Sequence, residues 1–352
     1  MKRFALGCLL VLAGCASSSG EEVEAVGLGA GVALTPRVGS VVVDGCVIDT
    51  WQSATLASPA AQKVLDEVIL LCLVPRMDGT VGPRDPGAQA ALGALVDQLH
   101  GQGYRVQLGV SFTDESGQRY DGAQTASWLR IPAWRKQLVA TLPALLGRAD
   151  GVELDLQLLP NEAAGDVYRL VGEVAAVVRP ARRLGVFVPP SVTYPSDLPG
   201  GDALAARDVA PLVDRVRVMT LDYSANPGPT IDPGWAVDAV RLAAQSTANV
   251  DVAYPLYGTD FGPGGHRAVT YTEALGVSRI YGAAIERGPT GAPFLRYTEG
   301  GPHETWFDDA ESTGRALAAW TPEVLPPTVG VLFYGLGAED PRLWTQLAER
   351  LP

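Results

Sequence analysis

The chain has 352 residues, of which 47% are hydrophobic, and its 27 lysines and arginines are outnumbered by 39 aspartates and glutamates, which gives a formal net charge of -12. The length does not require two domains, because α/β barrels commonly exceed two hundred residues as one unit. The acidic balance disfavours nucleic acid as a partner.

The N-terminus has the pattern of a bacterial export signal. Lys2 and Arg3 form a basic start, an apolar run fills residues 4–13, and the small residues before Cys15 form a cleavage site. The apolar run is too short to span a bilayer, which takes about 20 residues. The segment LAGC resembles the lipobox of bacterial lipoproteins, which implies that residues 1–14 are removed and that Cys15 carries lipid. An ordinary secretory signal with a chance cysteine is the alternative.

The segment that follows, residues 15–37, is small, Gly-rich and acidic, as expected of a flexible tether between lipid and domain. Loss of Lys2 and Arg3 with the signal would change the net charge from -12 to -14. We therefore expect an extracytoplasmic protein held on a bacterial membrane by its lipid. The outer membrane is favoured over the inner one, because Ala16 is not the aspartate linked to inner-membrane retention in some bacteria.

Beyond the tether, eight apolar β-branched runs alternate with helical patterns, which indicates βα units around a parallel sheet. Eight such units close a (β/α)8 TIM barrel, the α/β fold class predicted for residues 38–352. The strands are predicted at 41–43 with 47–48, 68–71, 106–110, 152–158, 184–188, 216–223, 250–257 and 329–336. The helices are predicted at 86–101, 132–146, 162–178, 235–245 and 341–351.

The gap at residues 262–313 is too long for a structureless loop in a barrel. We expect a small α+β insertion there, before the last strand, which walls one side of the barrel mouth. Cys46 and Cys72 fall on the first two predicted strands, and the sequence leaves open whether they form a disulfide or remain two buried thiols.

The fourth predicted strand carries the main functional signal. Side chains alternate along a strand, so Glu153, Asp155 and Gln157 share one face, and in a barrel this polar face points inward. Three inward polar groups are costly to bury, and a purely structural barrel would have Val, Ile or Leu there. The pattern predicts a functional site, with an internal polar network that binds nothing as the alternative.

The segment around this strand, DGVELDLQ at residues 150–157, resembles the D-G-x-D-x-D-x-E signature of glycoside hydrolase family 18, the chitinases and related N-acetylglucosaminidases. Two further motifs follow in order and resemble family motifs: VMTLDY at 218–223 and YPLYG at 254–258, with GVLFYGLG at 330–337 fitting the last strand. HETWFDDAES at 303–312 resembles the branch that contains spore-germination and cortex-lytic glucosaminidases, which act on peptidoglycan-type sugars.

The resemblance implies substrate-assisted chemistry, in which the sugar's own 2-acetamido oxygen attacks the anomeric carbon while a glutamate protonates the leaving oxygen. By position, Asp155 would orient the acetamido group and stabilise positive charge. Gln157 stands where the general acid belongs, and an amide has no proton to give near neutral pH. Leu221 replaces the tyrosine that would hold the acetamido carbonyl.

The resemblance also implies that Asp222, Tyr223, Tyr257 and Tyr334 line the sugar subsites, although each residue type also suits packing. Tyr334 would replace the tryptophan that forms an apolar floor under the sugar. Glu153 is a candidate site residue only as a charge partner beneath Asp155, because it lies roughly 13 Å below Gln157 at ~3.3 Å per residue and cannot replace the acid.

The sequence therefore predicts a lipid-anchored barrel that recognises N-acetylglucosamine-containing glycan, of chitin or peptidoglycan type, with weak or no hydrolysis. One alternative is an active hydrolase with a relocated acid, such as Glu162 or a carboxylate of the insertion. Another is a structural barrel of the cell envelope. No metal or organic cofactor is expected, because the three histidines lack ligand spacing and the Gly-rich stretch at 27–31 lies in the tether.

Overall fold

The computed structural model describes residues 34–35, 37–114, 119–191 and 204–352. The predicted signal peptide, Cys15 and most of the predicted tether lie outside the described residues. Within them, Leu34 is buried and its N–H donates to the Arg350 carbonyl, and Arg37 donates to four carbonyls that include those of Pro326 and Val329. The packed structure therefore begins before residue 38.

Fourteen strands occur in the described residues. They are β1 (Gly39–Val43), β2 (Glu67–Pro75), β3 (Val81–Pro83), β4 (Arg105–Ser111), β5 (Gly151–Asp155), β6 (Arg183–Val188), β7 (Arg215–Val218), β8 (Val250–Pro255), β9 (Gly258–Gly262), β10 (Gly265–Val269), β11 (Ile285–Arg287), β12 (Pro293–Thr298), β13 (Pro302–Trp306) and β14 (Gly330–Tyr334).

The barrel wall consists of the eight parallel strands β1, β2, β4, β5, β6, β7, β8 and β14. Each pairs with the next, and β1 closes the ring because Val41 pairs with Val68 of β2 on one side and with Phe333 of β14 on the other. The short β3 adds an antiparallel hairpin to β2. The predicted (β/α)8 barrel is confirmed.

Helices surround the barrel and connect its strands. They are α1 (Thr50–Ala57), α2 (Pro59–Val64), α3 (Gln89–Gly101), α4 (Gly122–Leu129), α5 (Pro132–Leu146), α6 (Ala164–Val178), α7 (Ala206–Val209), α8 (Pro233–Ala244), α9 (Tyr271–Tyr281), α10 (Ala310–Ala319) and α11 (Leu343–Arg350). Carboxylates begin several of them: Asp49, Asp121, Asp232 and Asp309 each accept a backbone N–H at the N-cap.

Several strand ends differ from the prediction, and local features accompany three of the differences. Residues 47–48 are not a strand, because Asp49 forms a capping box with Gln52 and begins α1 immediately afterwards. The strands predicted to run to 158 and to 223 end at Asp155 and Val218. Beyond those ends, Leu158 (φ 56°) and Asp222 (φ 52°) adopt left-handed backbone angles that a strand cannot contain.

The predicted α+β insertion is also confirmed. A five-stranded antiparallel sheet in the order β10-β9-β13-β12-β11, together with α9, lies between β8 and α10. Asp260 on β9 links the sheet, since its carboxylate accepts from Tyr297 on β12 and from Thr305 on β13. The insertion begins directly after the loop at Tyr257, and the Tyr271 N–H donates to the Ala338 carbonyl beyond β14.

Cys46 and Cys72 form a disulfide, which decides between the two states that the sequence left open. The bond ties the loop after β1 to the middle of β2 across a sequence separation of 26. A closed loop of this size stabilises the folded state by roughly 3 kcal/mol in the chain-entropy description.

In the described part of the chain, no helix combines the length and apolarity needed to cross a membrane.

Charged side chains occupy the barrel interior below the mouth, towards the N-terminal ends of the strands. Arg217 on β7 is fully buried and pairs with Glu67 (2.5 Å), Glu153 (2.7 Å) and Asp251. Although burial raises the pKa of Glu67, attraction to Arg217 outweighs it and lowers this pKa to about 2. Burial raises the pKa of Glu153 to about 7 in spite of the same guanidinium. We call Arg217 and its three carboxylates the floor cluster.

Glycines make room for the floor cluster. A Cβ on Gly185 of β6 would lie 2.1 Å from the Glu153 Oε2 atom, and a Cβ on Gly330 of β14 would lie 2.1 Å from the Asp251 Oδ1 atom. Two residues further along the strands, most inward positions form an apolar layer above the floor cluster, and Asp155 of β5 is a polar residue at the same level. This layer consists of Val42, Ile69, Leu71, Phe187, Leu221, Ala253 and Leu332, with Met219 and Tyr334 packed against it.

We predict that Arg217→Met lowers the free energy of unfolding by about 3–5 kcal/mol at pH 7, because it removes the cation paired with buried Glu153 and the nearer of the cations around Glu67 and Asp251. The matched control is Arg148→Met, which removes an exposed pair with Asp97 and should cost less than about 1 kcal/mol. Urea unfolding of both variants measures the difference. Equal losses in the two variants would show that the floor cluster does not stabilise the barrel.

Candidate functional site

Polar side chains collect where the barrel strands end, at the C-terminal mouth where α/β barrels carry their active sites. Asp155 is the last residue of β5 and is completely buried. Its carboxylate accepts two hydrogen bonds, one at each oxygen: the Gln157 amide donates to Oδ1 at 2.9 Å, and the Tyr120 hydroxyl donates to Oδ2. Burial raises the pKa of Asp155 to about 6, against the opposing effect of both donors.

Gln157 lies in the loop after β5, half-buried beside Asp155. The left-handed backbone of the next residue, Leu158, turns the chain sharply at this point. The turn is supported from α4, because Gly122 approaches so closely that a Cβ there would lie 1.7 Å from the Leu158 carbonyl oxygen. A left-handed conformation in a leucine costs on the order of 1–3 kcal/mol, and such strain concentrates at functional sites.

Tyr120 is a site residue that the sequence did not reveal. It lies on the chain returning from β4, where it forms an isolated antiparallel bridge with Thr113, and it precedes Asp121, the N-cap of α4. Burial raises the pKa of its hydroxyl well above the ordinary value, so the group remains a hydrogen-bond donor. Neither alternation nor any motif marks this segment, so no sequence signal pointed to it.

Tyr334 and Leu221, at two positions that the resemblance singled out, have different surroundings in the fold. The Tyr334 ring meets Phe187 edge-on at a centroid distance of 6.4 Å, and its hydroxyl lies near the Tyr120 hydroxyl. Burial raises the pKa of Tyr334 well above its ordinary value. Leu221 is turned into the apolar layer below the mouth. The phenol of Tyr334 thus joins the polar network around Asp155, while Leu221 presents no polar group to it.

A second polar pair lies at the ends of β7 and β8. The Tyr257 hydroxyl donates to the Asp222 Oδ1 atom at 2.8 Å, so the structure brings these two predicted site residues together. Asp222 itself is exposed, yet partial desolvation of its carboxyl raises the pKa. Tyr223 instead packs its ring against Trp235 of α8 at 5.2 Å between centroids. That contact is the packing role that the sequence left open for Tyr223.

Two further charged groups at the mouth were missed. Asp44 follows β1 and pairs with Arg84 at 3.0 Å, and both lie close enough to influence the charge of Asp155. Two predicted residues lie elsewhere in the fold. Glu153 belongs to the floor cluster, and its charged partner, which the sequence could not identify, is Arg217. Glu162 is exposed in a short 3-10 turn before α6.

In the described ranges, no group of three or more His, Cys, Asp or Glu side chains could hold a metal ion. The arrangement offers a buried carboxylate, a fixed amide and several phenols. These groups recognise amide and hydroxyl groups of a ligand through hydrogen bonds.

The barrel, its antiparallel insertion before the last strand and the carboxylate at the end of β5 define a glycoside hydrolase family 18-like fold. The chain superposes on the spore cortex-lytic enzyme SleL of Bacillus cereus with a TM-score of 0.73 and 18% identity, covering 90% of this chain and 75% of SleL. It superposes on a chitinase of Chromobacterium violaceum with a TM-score of 0.74 and 20% identity, covering 89% of this chain and 98% of the chitinase.

A family 18 chitinase of Cycas revoluta, solved in complex with (GlcNAc)3, superposes with a TM-score of 0.69 and 14% identity over 89% of this chain and 99% of the chitinase. At these identities the likeness establishes the fold alone. No family model matches the sequence, and no curated protein matches it.

We predict that Asp155→Asn stabilises the protein at pH 8 by on the order of 2 kcal/mol and that the gain disappears near pH 4. The folded-state pKa of about 6 lies above the ordinary aspartate pKa of 3.8. Stability from the protonated form is therefore fully present below about pH 3.8 and lost as the pH rises through about 6. Urea unfolding between pH 4 and 8 tests this, with the exposed Asp238→Asn as control. A gain that does not depend on pH would contradict it.

Proposed function

We propose that the protein is a lipid-anchored, extracytoplasmic barrel that binds N-acetylglucosamine-containing glycan, of peptidoglycan or chitin type, and hydrolyses it weakly or not at all. The observation that carries this proposal is the hydrogen bond from the Gln157 amide to Asp155. The bond puts an amide, which has no titratable proton, beside the carboxylate. The family resemblance puts the general acid at the position of this amide.

The case for binding rests on the retained carboxylate and on the fold. Asp155 is held at the mouth by two donors, and a carboxylate oxygen can accept a further hydrogen bond from the N–H of an acetamido group. Tyr257 and Asp222 offer a second polar pair at the rim. The fold is shared with chitinases, one of which was solved with (GlcNAc)3, and this supports the same class of ligand here.

The case against efficient cleavage rests on two substitutions. A general acid typically contributes 10²–10⁴-fold to the rate, and Gln157 cannot supply the proton that a sugar leaving group needs. Leu221 packs into the apolar layer, so it provides no hydroxyl to an acetamido carbonyl. Both substitutions remove interactions that matter more in the transition state than in the bound ground state, so binding survives better than turnover.

We predict that wild-type protein binds short N-acetylglucosamine oligomers and cleaves them weakly or not at all, and that Gln157→Glu raises the rate of cleavage by about 10²-fold or more. Gln157→Glu combined with Leu221→Tyr should cleave faster still. Calorimetry measures binding, and chromatography of the released sugars measures cleavage, with peptidoglycan fragments and chitin oligomers compared in parallel.

Asp155→Ala serves as the control and should abolish saturable binding. Two outcomes contradict the proposal in different ways. Robust cleavage by the wild type would show an acid elsewhere, such as Glu162 in its exposed turn. Failure of the wild type to bind either glycan would favour a structural barrel of the cell envelope.

The membrane anchor is a separate part of the proposal and rests on the LAGC segment that ends at Cys15. The Cys46–Cys72 disulfide supports an oxidising compartment, since such bonds are rare in the cytosol. We predict that Cys15→Ser moves the protein from the detergent phase to the aqueous phase of a Triton X-114 partition of bacterial membranes. Cys8→Ser, within the apolar run, is the control and should stay in the detergent phase. Equal partitioning of both variants would rule out the lipid anchor.

A further inference from the structure

The Tyr120 hydroxyl has no counterpart in the motifs that suggested the glycan site. It reaches Asp155 from the loop after β4, whereas the tyrosine expected from the resemblance would have come from position 221, after β7. The side chain at 221 is instead a leucine buried in the apolar layer. A phenol therefore enters the site from a different side of the barrel.

The backbone around Tyr120 is held on three sides. Thr113 pairs with Tyr120 in the antiparallel bridge, and the Phe112 N–H donates to the Asp155 carbonyl at 3.0 Å, which ties the chain leaving β4 to the end of β5. Asp121 caps α4 by accepting the Gln124 N–H at 2.9 Å. Gly122 then packs against the Leu158 carbonyl. The phenol is thus positioned by the fold rather than by its own rotamer alone.

Asp155 consequently has one donor at each carboxylate oxygen. Tyr120 donates to Oδ2 and Gln157 donates to Oδ1. One donor precedes Asp155 in the sequence and the other follows it, and they lie in two different loops. Two donors fix the rotation of a carboxylate, which a single donor leaves free to swing. Each oxygen still has a lone pair for a ligand. The Tyr334 hydroxyl lies near Tyr120, beside this network.

We infer that Tyr120 is a positioning residue of this site, which holds the Asp155 carboxylate in one orientation and in its ionised form for the N–H of a ligand's acetamido group. This inference rests on the proposed function for the identity of the ligand. Hydrogen bonds donated to a carboxylate favour its charged form, so the Tyr120 hydroxyl opposes the effect of burial on the Asp155 pKa. The role is one of positioning, since the hydroxyl acts on the ligand through Asp155.

The test uses Tyr120→Phe, which removes the hydroxyl and keeps the ring, in the full-length protein. Tyr168→Phe is the matched control, because Tyr168 lies exposed on α6 away from these contacts. The first readout needs no ligand: the titration of Asp155 is followed by NMR of ¹³C-labelled aspartate carboxyls and assigned with Asp155→Asn. We expect a midpoint near pH 6 in the wild type, about one pH unit higher in Tyr120→Phe, and unchanged in Tyr168→Phe.

The second readout is the affinity for (GlcNAc)3 between pH 5 and 8. At pH 7, Tyr120→Phe should bind roughly threefold to tenfold more weakly than wild type, and the pH midpoint of binding should rise together with the NMR midpoint. An Asp155 titration that does not move in Tyr120→Phe overturns the inference, whatever the binding data show. Unchanged or tighter binding by Tyr120→Phe, with the wild type binding, also overturns it.

The two proposals fail separately. If neither wild type nor variant binds (GlcNAc)3, the proposed function fails, while the NMR titration still decides whether Tyr120 controls the charge of Asp155. If the wild type binds (GlcNAc)3 and Asp155 titrates at the same pH in Tyr120→Phe as in the wild type, the proposed function stands and the role assigned to Tyr120 falls.

Discussion

Compensation of charge inside the barrel is the constraint on which the rest of the structure depends. A carboxylate without a counter-charge is very costly in a buried position, so Glu67, Glu153 and Asp251 require Arg217 at their centre. These residues come from four strands that are far apart in sequence, and the guanidinium meets them only in one register of the barrel. Gly185 and Gly330 leave the space that the carboxylates occupy. The floor cluster therefore specifies how the strands align, and strand alignment fixes which residues reach the mouth.

The apolar layer between floor and mouth gives the site its electrostatic character. Asp155 lies at the level of this layer, in register with Phe187, and accepts its hydrogen bonds from the neutral Tyr120 and Gln157 side chains. Burial raises the pKa of Asp155 to about 6, although both donors and the nearby Arg84 act to lower it. The two carboxyl groups on the inward face of β5 thus differ in their surroundings: Glu153 is part of a structural ion cluster, and Asp155 is buried at the mouth end of the strand with a raised pKa. Sites that carry such a cost are typical of function rather than of stability.

Much of this architecture could be predicted from the sequence, and the failures have physical causes. Apolar runs identified all eight barrel strands, and period-two alternation placed Glu153 and Asp155 on the inward face. Local backbone features that interrupt an apolar run were missed. Asp49 caps α1 directly after residues 47–48, and Leu158 and Asp222 adopt left-handed angles within two of the predicted strands. Partners distant in sequence were also missed, because alternation shows which way Glu153 points but not that Arg217 meets it. Tyr120 lies in a segment without periodicity, so only the folded chain reveals its contact with Asp155.

Gln157 is best understood together with Asp155, because the proposed function puts a glutamate at this position in active relatives. Two carboxyl groups this close repel when both are ionised, and an active acid requires one of them to keep a proton. An amide of the same shape removes that repulsion and still donates a hydrogen bond to Oδ1 at 2.9 Å. The hydrogen-bonded pair combines a carboxylate at Asp155 with an amide at Gln157, which has no titratable proton. An amide also has a second N–H and a carbonyl that can hydrogen-bond to a sugar. Under the proposed function, such a site recognises a glycan but lacks the proton needed to cut one.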